Sequence, residues 1–139
     1  TAFFRGLVTV GFKGVIGVTG HDVQGMLASL QQAVASISAD GAAAGFAMME
    51  GDLYDLAGDE MDHAAHWETS ILMALRPDLV DMDRIRNEVL TTETGAKEAG
   101  IWGRDPRTDA SRELGEKIVN RIADNIGKKA QELLAGLRK

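Results

Sequence analysis

The sequence predicts an α/β protein with parallel strands and a long C-terminal helix. Three observations lead there. Two short apolar runs bounded by glycine, "KGVIGVTG" (13–20) and "AAAGFAMM" (42–49), have the length of buried strands rather than of helices. Between them, "HDVQGMLASLQQAVASISADG" places Met26, Leu27, Leu30, Ala33, Val34 and Ile37 at helical spacing. Strand, helix and strand in that order make a right-handed βαβ unit with parallel strands. Third, residues 109–137 carry Leu114, Ile118, Ile122, Ile126, Leu133 and Leu137 along one stripe, with charges on the other faces.

The remaining elements follow in chain order. Residues 1–12, "TAFFRGLVTVGF", read as a short helix whose apolar surface comes from Phe3, Phe4, Leu7, Val8 and Val10. Gly41 stops the helix between the strands. A further helix is expected from about Ala64 to Leu75, ended by Pro77, because the residue before a proline is driven out of helical geometry. Residues 81–107 read as irregular, with "TTETG" and "GIWGRDP" as turn-rich stretches. Two strands are too few for an independent sheet. The chain also opens directly on apolar residues, with Thr1 rather than Met. The expectation is one domain over residues 1–139, the C-terminal part of a larger fold, completed by an N-terminal chain or fragment and folding poorly without it.

Composition narrows the function. The chain has 139 residues, 45% of them hydrophobic and 26% charged, which is ordinary for a globular domain. Its net charge of -6 argues against a nucleic-acid surface, which needs clustered Lys and Arg. With no cysteine there is no thiolate metal site and no thiol nucleophile, so any metal falls to His, Asp and Glu. No apolar run is long enough to span a bilayer. The default expectation is a cytoplasmic protein without nucleic-acid or membrane partners.

The densest chemistry lies in "DEMDHAAHWETS", Asp59 to Ser70: two histidines, a tryptophan and four carboxylates in twelve residues. Asp59, Glu60 and Asp62 suit a loop or first helical turn, where negative charge meets the positive end of the helix dipole. His63 and His66 are three apart, a spacing that shares a helix face. His63 and Glu68 converge only if His63 lies in the loop ahead of the helix. No HExxH is present, so this is not a zincin-type site. His21, in "VTGHD", follows the first strand directly, and open α/β sheets bind ligands outside the carboxyl ends of their strands. There it is either a loop histidine bonded to backbone or a metal ligand. Asp22 beside it is either a helix cap or a polar contact. Trp102, in a glycine-rich loop, is either a plug over the core or a wall over a small ligand.

Taken together, these residues resemble the creatininase (creatinine amidohydrolase) family. Three pieces carry the likeness, in the right order. "VTGHD" is similar to the family's strand followed by Gly-His. "HAAHWETSILMALRPDLVDMDR" (63–84) is similar to its His-Ala-Gly-x-x-Glu-Thr-Ser segment with the following Leu-Arg-Pro-Asp-Leu-Val. "GIWGRDPRTDASRELGEKI" (100–118) is similar to the Gly-x-x-Gly-Asp-Pro lead-in to the last helix. The resemblance implies a three-layer α/β/α fold, commonly hexameric, and a hydrolase of amide-type bonds in small, often cyclic substrates. It implies one or two divalent ions (Zn, Mn or Fe) with His21 as a ligand, His63 as the catalytic or substrate-binding histidine, and Glu68 as a further ligand or proton acceptor. The rest of the ligands would come from the N-terminal half.

The departures bear on substrate and metal count. Val23 stands where creatininase itself has a Glu, and valine binds no metal. Ala65 stands where the family has Gly. Asp22 and Gln24 are polar where other members carry small residues, which points to a substrate rich in hydroxyls. In the resulting site His63 moves the proton, Glu68 binds metal or orients His63, and Trp67 and Trp102 wall the pocket. His63 and Glu68 are expected to point inward toward His21, and His66 to face solvent or a subunit contact. Two other readings stay open: a non-catalytic subunit of a creatininase-like assembly, which Val23 favours, and a hydrolase or lyase acting on a cyclic polyol ketone.

Overall fold

The computed structural model describes residues 1–20, 25–39, 41–54, 62–85 and 90–138. They form strands β1 (Gly14–Thr19) and β2 (Ala44–Met49) and helices α1 (Ala2–Thr9), α2 (Met26–Ala39), α3 (Gly51–Tyr54), α4 (His66–Leu75), α5 (Glu93–Ala99), α6 (Pro106–Asp109) and α7 (Arg112–Leu137). Short 3-10 turns follow α4 at Pro77–Leu79 and Met82–Arg84. The chain divides into two compact units. One comprises residues 1–55 with 122–139, the other residues 56–121.

In the first unit β1 and β2 pair in parallel, in register from Gly14↔Ala44 to Thr19↔Met49, with α2 as the crossover. The core is Phe4 of α1, Val15 of β1, Ala33, Val34 and Ile37 of α2, and Ala43. Helical periodicity on α2 and alternation on β1 thus aim at one apolar centre. Gly45 is required there: a side chain on it would collide with the Val15 carbonyl and press on Val34. The strands are not buried on both faces as their composition predicts. β1 alternates, with Val15, Gly17 and Thr19 buried and Val18 42% exposed, and β2 is mostly half-buried. Two strands make a small sheet whose second face is only partly covered among the described residues. The C-terminal part of α7 packs here too: Leu133 and Leu137 lie against Gly14, and Lys129 Nζ stands 5.7 Å from the Phe46 ring centre.

In the second unit α4 ends at Leu75, with Arg76 as its C-cap immediately before Pro77, as the proline requires. The 81–107 stretch is more regular than predicted. Thr92 caps α5 by accepting from Gly95 N at 3.1 Å, and Gly100 closes it in the left-handed conformation, φ 68°. Read as a turn, "TTETG" is a helix start. Asp105 caps the short α6 by accepting from Arg107 N, with Pro106 in the first turn. The last helix therefore starts at Arg112, not 109. The Arg107 guanidinium grips Asp105 with contacts down to 2.6 Å and holds its carboxyl below the ordinary value near 3.8. Gly115 of α7 faces α4 at backbone distance: a side chain there would strike the Ser70 carbonyl and come within 2.9 Å of Ala74 Cβ. No helix among the described residues is long and apolar enough to cross a membrane.

Candidate functional site: the loop into helix α4

The Glu-Thr-Ser triplet folds its own entrance. Glu68 Oε2 accepts from Ala64 N at 2.6 Å, and Thr69 Oγ1 donates to the Ala64 carbonyl at 3.2 Å. Held from both sides, Ala64 adopts φ 51°, a left-handed conformation that costs a residue with a Cβ about 1–2 kcal/mol. Ser70 Oγ donates to the His66 carbonyl at 2.5 Å and accepts from Ser111 N at 3.0 Å, which ties α4 to the lead-in of α7. Ala65 is fully buried beside Leu90 and Ile101, so its methyl group is part of a small core.

Asp62 caps α4 from outside the helix. Its carboxylate accepts from Trp67 N at 3.1 Å and from Glu68 N at 2.9 Å, satisfying two first-turn donors. That matches its expected service to the helix N-terminus. Asp59 and Glu60, given the same role, lie outside the described residues.

His63 is placed by its backbone. Its N–H donates to the Trp102 carbonyl at 2.7 Å, and Trp102 N–H donates back at 2.9 Å, an isolated antiparallel bridge. The rings stand 5.7 Å apart, tilted by 47°, and Trp102 is 38% exposed. His63 and Glu68 are both exposed. The structure thus brings together His63, Glu68 and Trp102, residues far apart or divergent by spacing alone. His63 does lie in the loop ahead of the helix, as convergence with Glu68 demands.

His66 corrects the sequence reading. Expected to face solvent or a subunit contact, it is 1% exposed, its ring 4.1 Å from that of Trp67. The cause is its place at the first helical position, where Asp62 draws it inward: Nδ1 stands 3.1 Å from Asp62 Oδ1, and both side chains are nearly inaccessible. Although that distance suits an ion pair, neither ring nitrogen has an aligned hydrogen-bond partner among the described residues. The distance decides which nitrogen faces the carboxylate. It leaves Nε2 as a buried atom facing no described partner.

His21, Asp22, Val23 and Gln24 lie outside the described residues, and with them the expected convergence of His63 and Glu68 on His21. The strand end that leads to His21 is described. Glu50 N donates to the Thr19 carbonyl at 2.8 Å, and the Glu50 carboxylate occupies the space a side chain on Gly20 would need. The sequence reading passed over Glu50. Its signal was position: it is the first residue after β2, at the carboxyl end where open α/β sheets gather ligands.

A divalent metal finds no complete set of ligands here: no group of three or more His, Asp or Glu side chains among the described residues is arranged to hold a metal ion.

The site is thus a histidine-bearing loop, polar-clamped at the start of a helix, in an α/β chain with a parallel strand pair. The family described as creatininase, creatinine amidohydrolase, matches residues 1–129. The chain belongs to the creatininase family, whose members are typically metal-dependent hydrolases. No curated protein and no solved structure matches the chain.

Proposed function

We propose that this chain carries the proton-transfer part of a metal-dependent hydrolase that cleaves an amide-type bond in a small, polar, cyclic substrate. One observation carries the reading: His63 is exposed at its side chain yet pinned at its backbone to Trp102 by a pair of hydrogen bonds. Acid–base catalysis asks for that combination, a reachable imidazole on a backbone that does not wander. Imidazole is the side chain whose chemistry suits both taking and giving a proton in such a reaction.

A bound divalent ion lowers the pKa of an attacking water and polarises the carbonyl under attack. His21 and Glu68 are its proposed ligands in this chain, with the rest from a complementary N-terminal segment in a hexamer-like assembly. His63 takes the proton of the attacking water as oxygen adds to the carbonyl carbon. It then delivers that proton to the leaving nitrogen as the C–N bond breaks, giving an amine and a carboxylic acid, which loses its own proton to solvent to become the carboxylate. Glu68, through Ala64, holds the loop that presents His63. Trp102 and Trp67 wall the substrate and keep bulk water out, while Asp22 and Gln24 meet its polar groups. Zn, Mn or Fe is the proposed ion, one or two per site, in a cytoplasmic enzyme.

The test is direct. Purified protein, with whatever partner accompanies it, is assayed for bound metal by mass spectrometry and for ring opening of a panel of cyclic amides that includes creatinine. Metal-dependent ring opening that is lost on chelation and restored by Zn, Mn or Fe is the expected result. A metal-loaded protein that opens none of them contradicts the reading. His21→Ala tests the ligand assignment separately: unchanged metal stoichiometry would remove His21 from it.

A further inference from the structure

We infer that Thr69 is a positioning residue: its hydroxyl, with the Glu68 carboxylate, locks Ala64 in a left-handed turn that aims the His63 ring at Trp102. The inference rests on the reading of His63 above and adds the device that orients it.

The geometry is local and uncommon. Among the described residues Ala64 alone, glycines apart, has a positive φ, at 51°. A Cβ makes that conformation unfavourable, so it persists only where neighbours over-determine it, and such strain gathers at functional sites. Both backbone polar groups of Ala64 are taken by side chains of the helix that follows. Glu68 Oε2 accepts from its N–H at 2.6 Å, and Thr69 Oγ1 donates to its carbonyl at 3.2 Å. The Thr69 hydroxyl thereby reaches back five residues, past the i−4 carbonyl that helical hydroxyls ordinarily take and that Ser70 takes here. The two bonds grip the peptide planes on either side of the Ala64 Cα. The relative orientation of those planes is what φ and ψ of Ala64 set.

One end of the turn is anchored more deeply than the other. Ala65 is fully buried beside Leu90 and Ile101, and its carbonyl accepts from Thr69 N at 2.9 Å. His63 has an exposed side chain and is held by its two backbone bonds to Trp102, at 2.7 and 2.9 Å. Rotation of Ala64 out of the left-handed region therefore swings His63 rather than Ala65. It parts the His63 ring from that of Trp102, 5.7 Å away. A general acid–base works only within hydrogen-bond reach of its proton, so a misaimed His63 lowers turnover and leaves substrate affinity alone.

The test uses the full chain, with any partner it carries, labelled with 13C and 15N at Ala, His and Trp. In the unmutated protein Ala64 should show the strong intraresidue HN–Hα NOE of a positive φ, and the His63 and Trp102 rings should share NOEs. Thr69→Val keeps the shape of the side chain and removes the hydroxyl; Thr69→Ala is the second variant without it. Each should weaken both signals. Each should also lower kcat about five- to tenfold on the cyclic amide opened fastest, the order of one lost hydrogen bond, with KM unchanged. Thr69→Ser returns the hydroxyl and should restore the NOEs. Ala64→Gly takes the left-handed turn without strain, so it should shrink the effect of Thr69→Val in a double-mutant cycle, a coupling that a general loss of stability would not produce. Undiminished NOEs at both places in the variants without the hydroxyl, or a negative φ at Ala64 in the unmutated protein, overturn the inference whatever the turnover. Lost NOEs with undiminished turnover leave the clamp standing and overturn the proton-transfer reading of His63. A protein that opens no cyclic amide overturns that reading alone, and the NOEs then decide the clamp.

Discussion

Around β1, α2 and β2 the chain is held by apolar side chains; between Asp62 and Ser111 it is held by polar ones. In the first region Phe4, Val15, Val34 and Ile37 meet in one core, and the strands follow from it. In the second, the core near the loop is only Ala65, Leu90 and Ile101, with partly buried Ile85 and Ala99. Shape there comes from Asp62, Glu68, Thr69 and Ser70, each bonded to a specific backbone group. Apolar packing tolerates exchange of one hydrophobe for another of similar volume. A polar clamp does not, because each lost partner strands a donor or acceptor. The difference assigns the first region to scaffold and the second to presenting a side chain.

Substitutions sharpen that contrast. The largest effect is expected where the second region is tightest. Gly115→Val puts a side chain into the Ser70 carbonyl and should cost about 3 kcal/mol, at the upper end for overpacking, by chemical denaturation. Asp62→Ala removes the α4 cap and should cost about 2 kcal/mol. By contrast Ile37→Leu in the apolar core keeps the volume and should cost less than about 1.5 kcal/mol if the core repacks. Should Asp62→Ala prove milder than Ile37→Leu, the division between polar-clamped and apolar regions fails.

Smaller effects follow. Ser70→Ala loses one donor and one acceptor and should cost about 1 kcal/mol. Ala64→Gly should stabilise by about 0.5 kcal/mol, the relief of a left-handed residue less the entropy of glycine. The smallest concerns pH. Asp105 titrates below its ordinary value because Arg107 bonds its charged form. A depressed folded pKa means stability present above the unfolded value near 3.8 and lost as pH falls through the folded one. Arg107→Met should therefore raise the Asp105 pKa in an NMR titration and flatten the acid limb of the stability curve below about pH 4.

How far the sequence revealed this follows the same division. Helical and strand periodicity on Met26–Ile37 and on the two glycine-bounded runs located β1, α2 and β2, because burial writes a period into the chain. The α7 stripe was legible for the same reason, with Ile118 fully buried. Polar clamps leave no period. Spacing made His66 an equal of His63 and gave no sign that Asp62 would draw it inside. Helix α5 was missed because seven residues are too few to display periodicity, and its Thr92 cap reads equally as a turn. The family likeness supplied what spacing left open: that His63, Glu68 and the Trp102 loop belong to one place. His63 is bridged to Trp102, and Glu68 is bonded to the residue after His63.

The most direct test of the account is the turnover of His63→Gln beside that of Thr69→Ser, both loaded with metal and assayed on whichever cyclic amide the unmutated protein opens fastest. Removing a general acid–base should lower kcat by about two to four powers of ten with metal content and melting temperature unchanged. Thr69→Ser keeps the hydroxyl that clamps Ala64 and should retain turnover within about threefold, a small difference in barrier. A His63→Gln enzyme that turns over within tenfold of the unmutated one, still folded and metal-loaded, would contradict the assignment of proton transfer to His63.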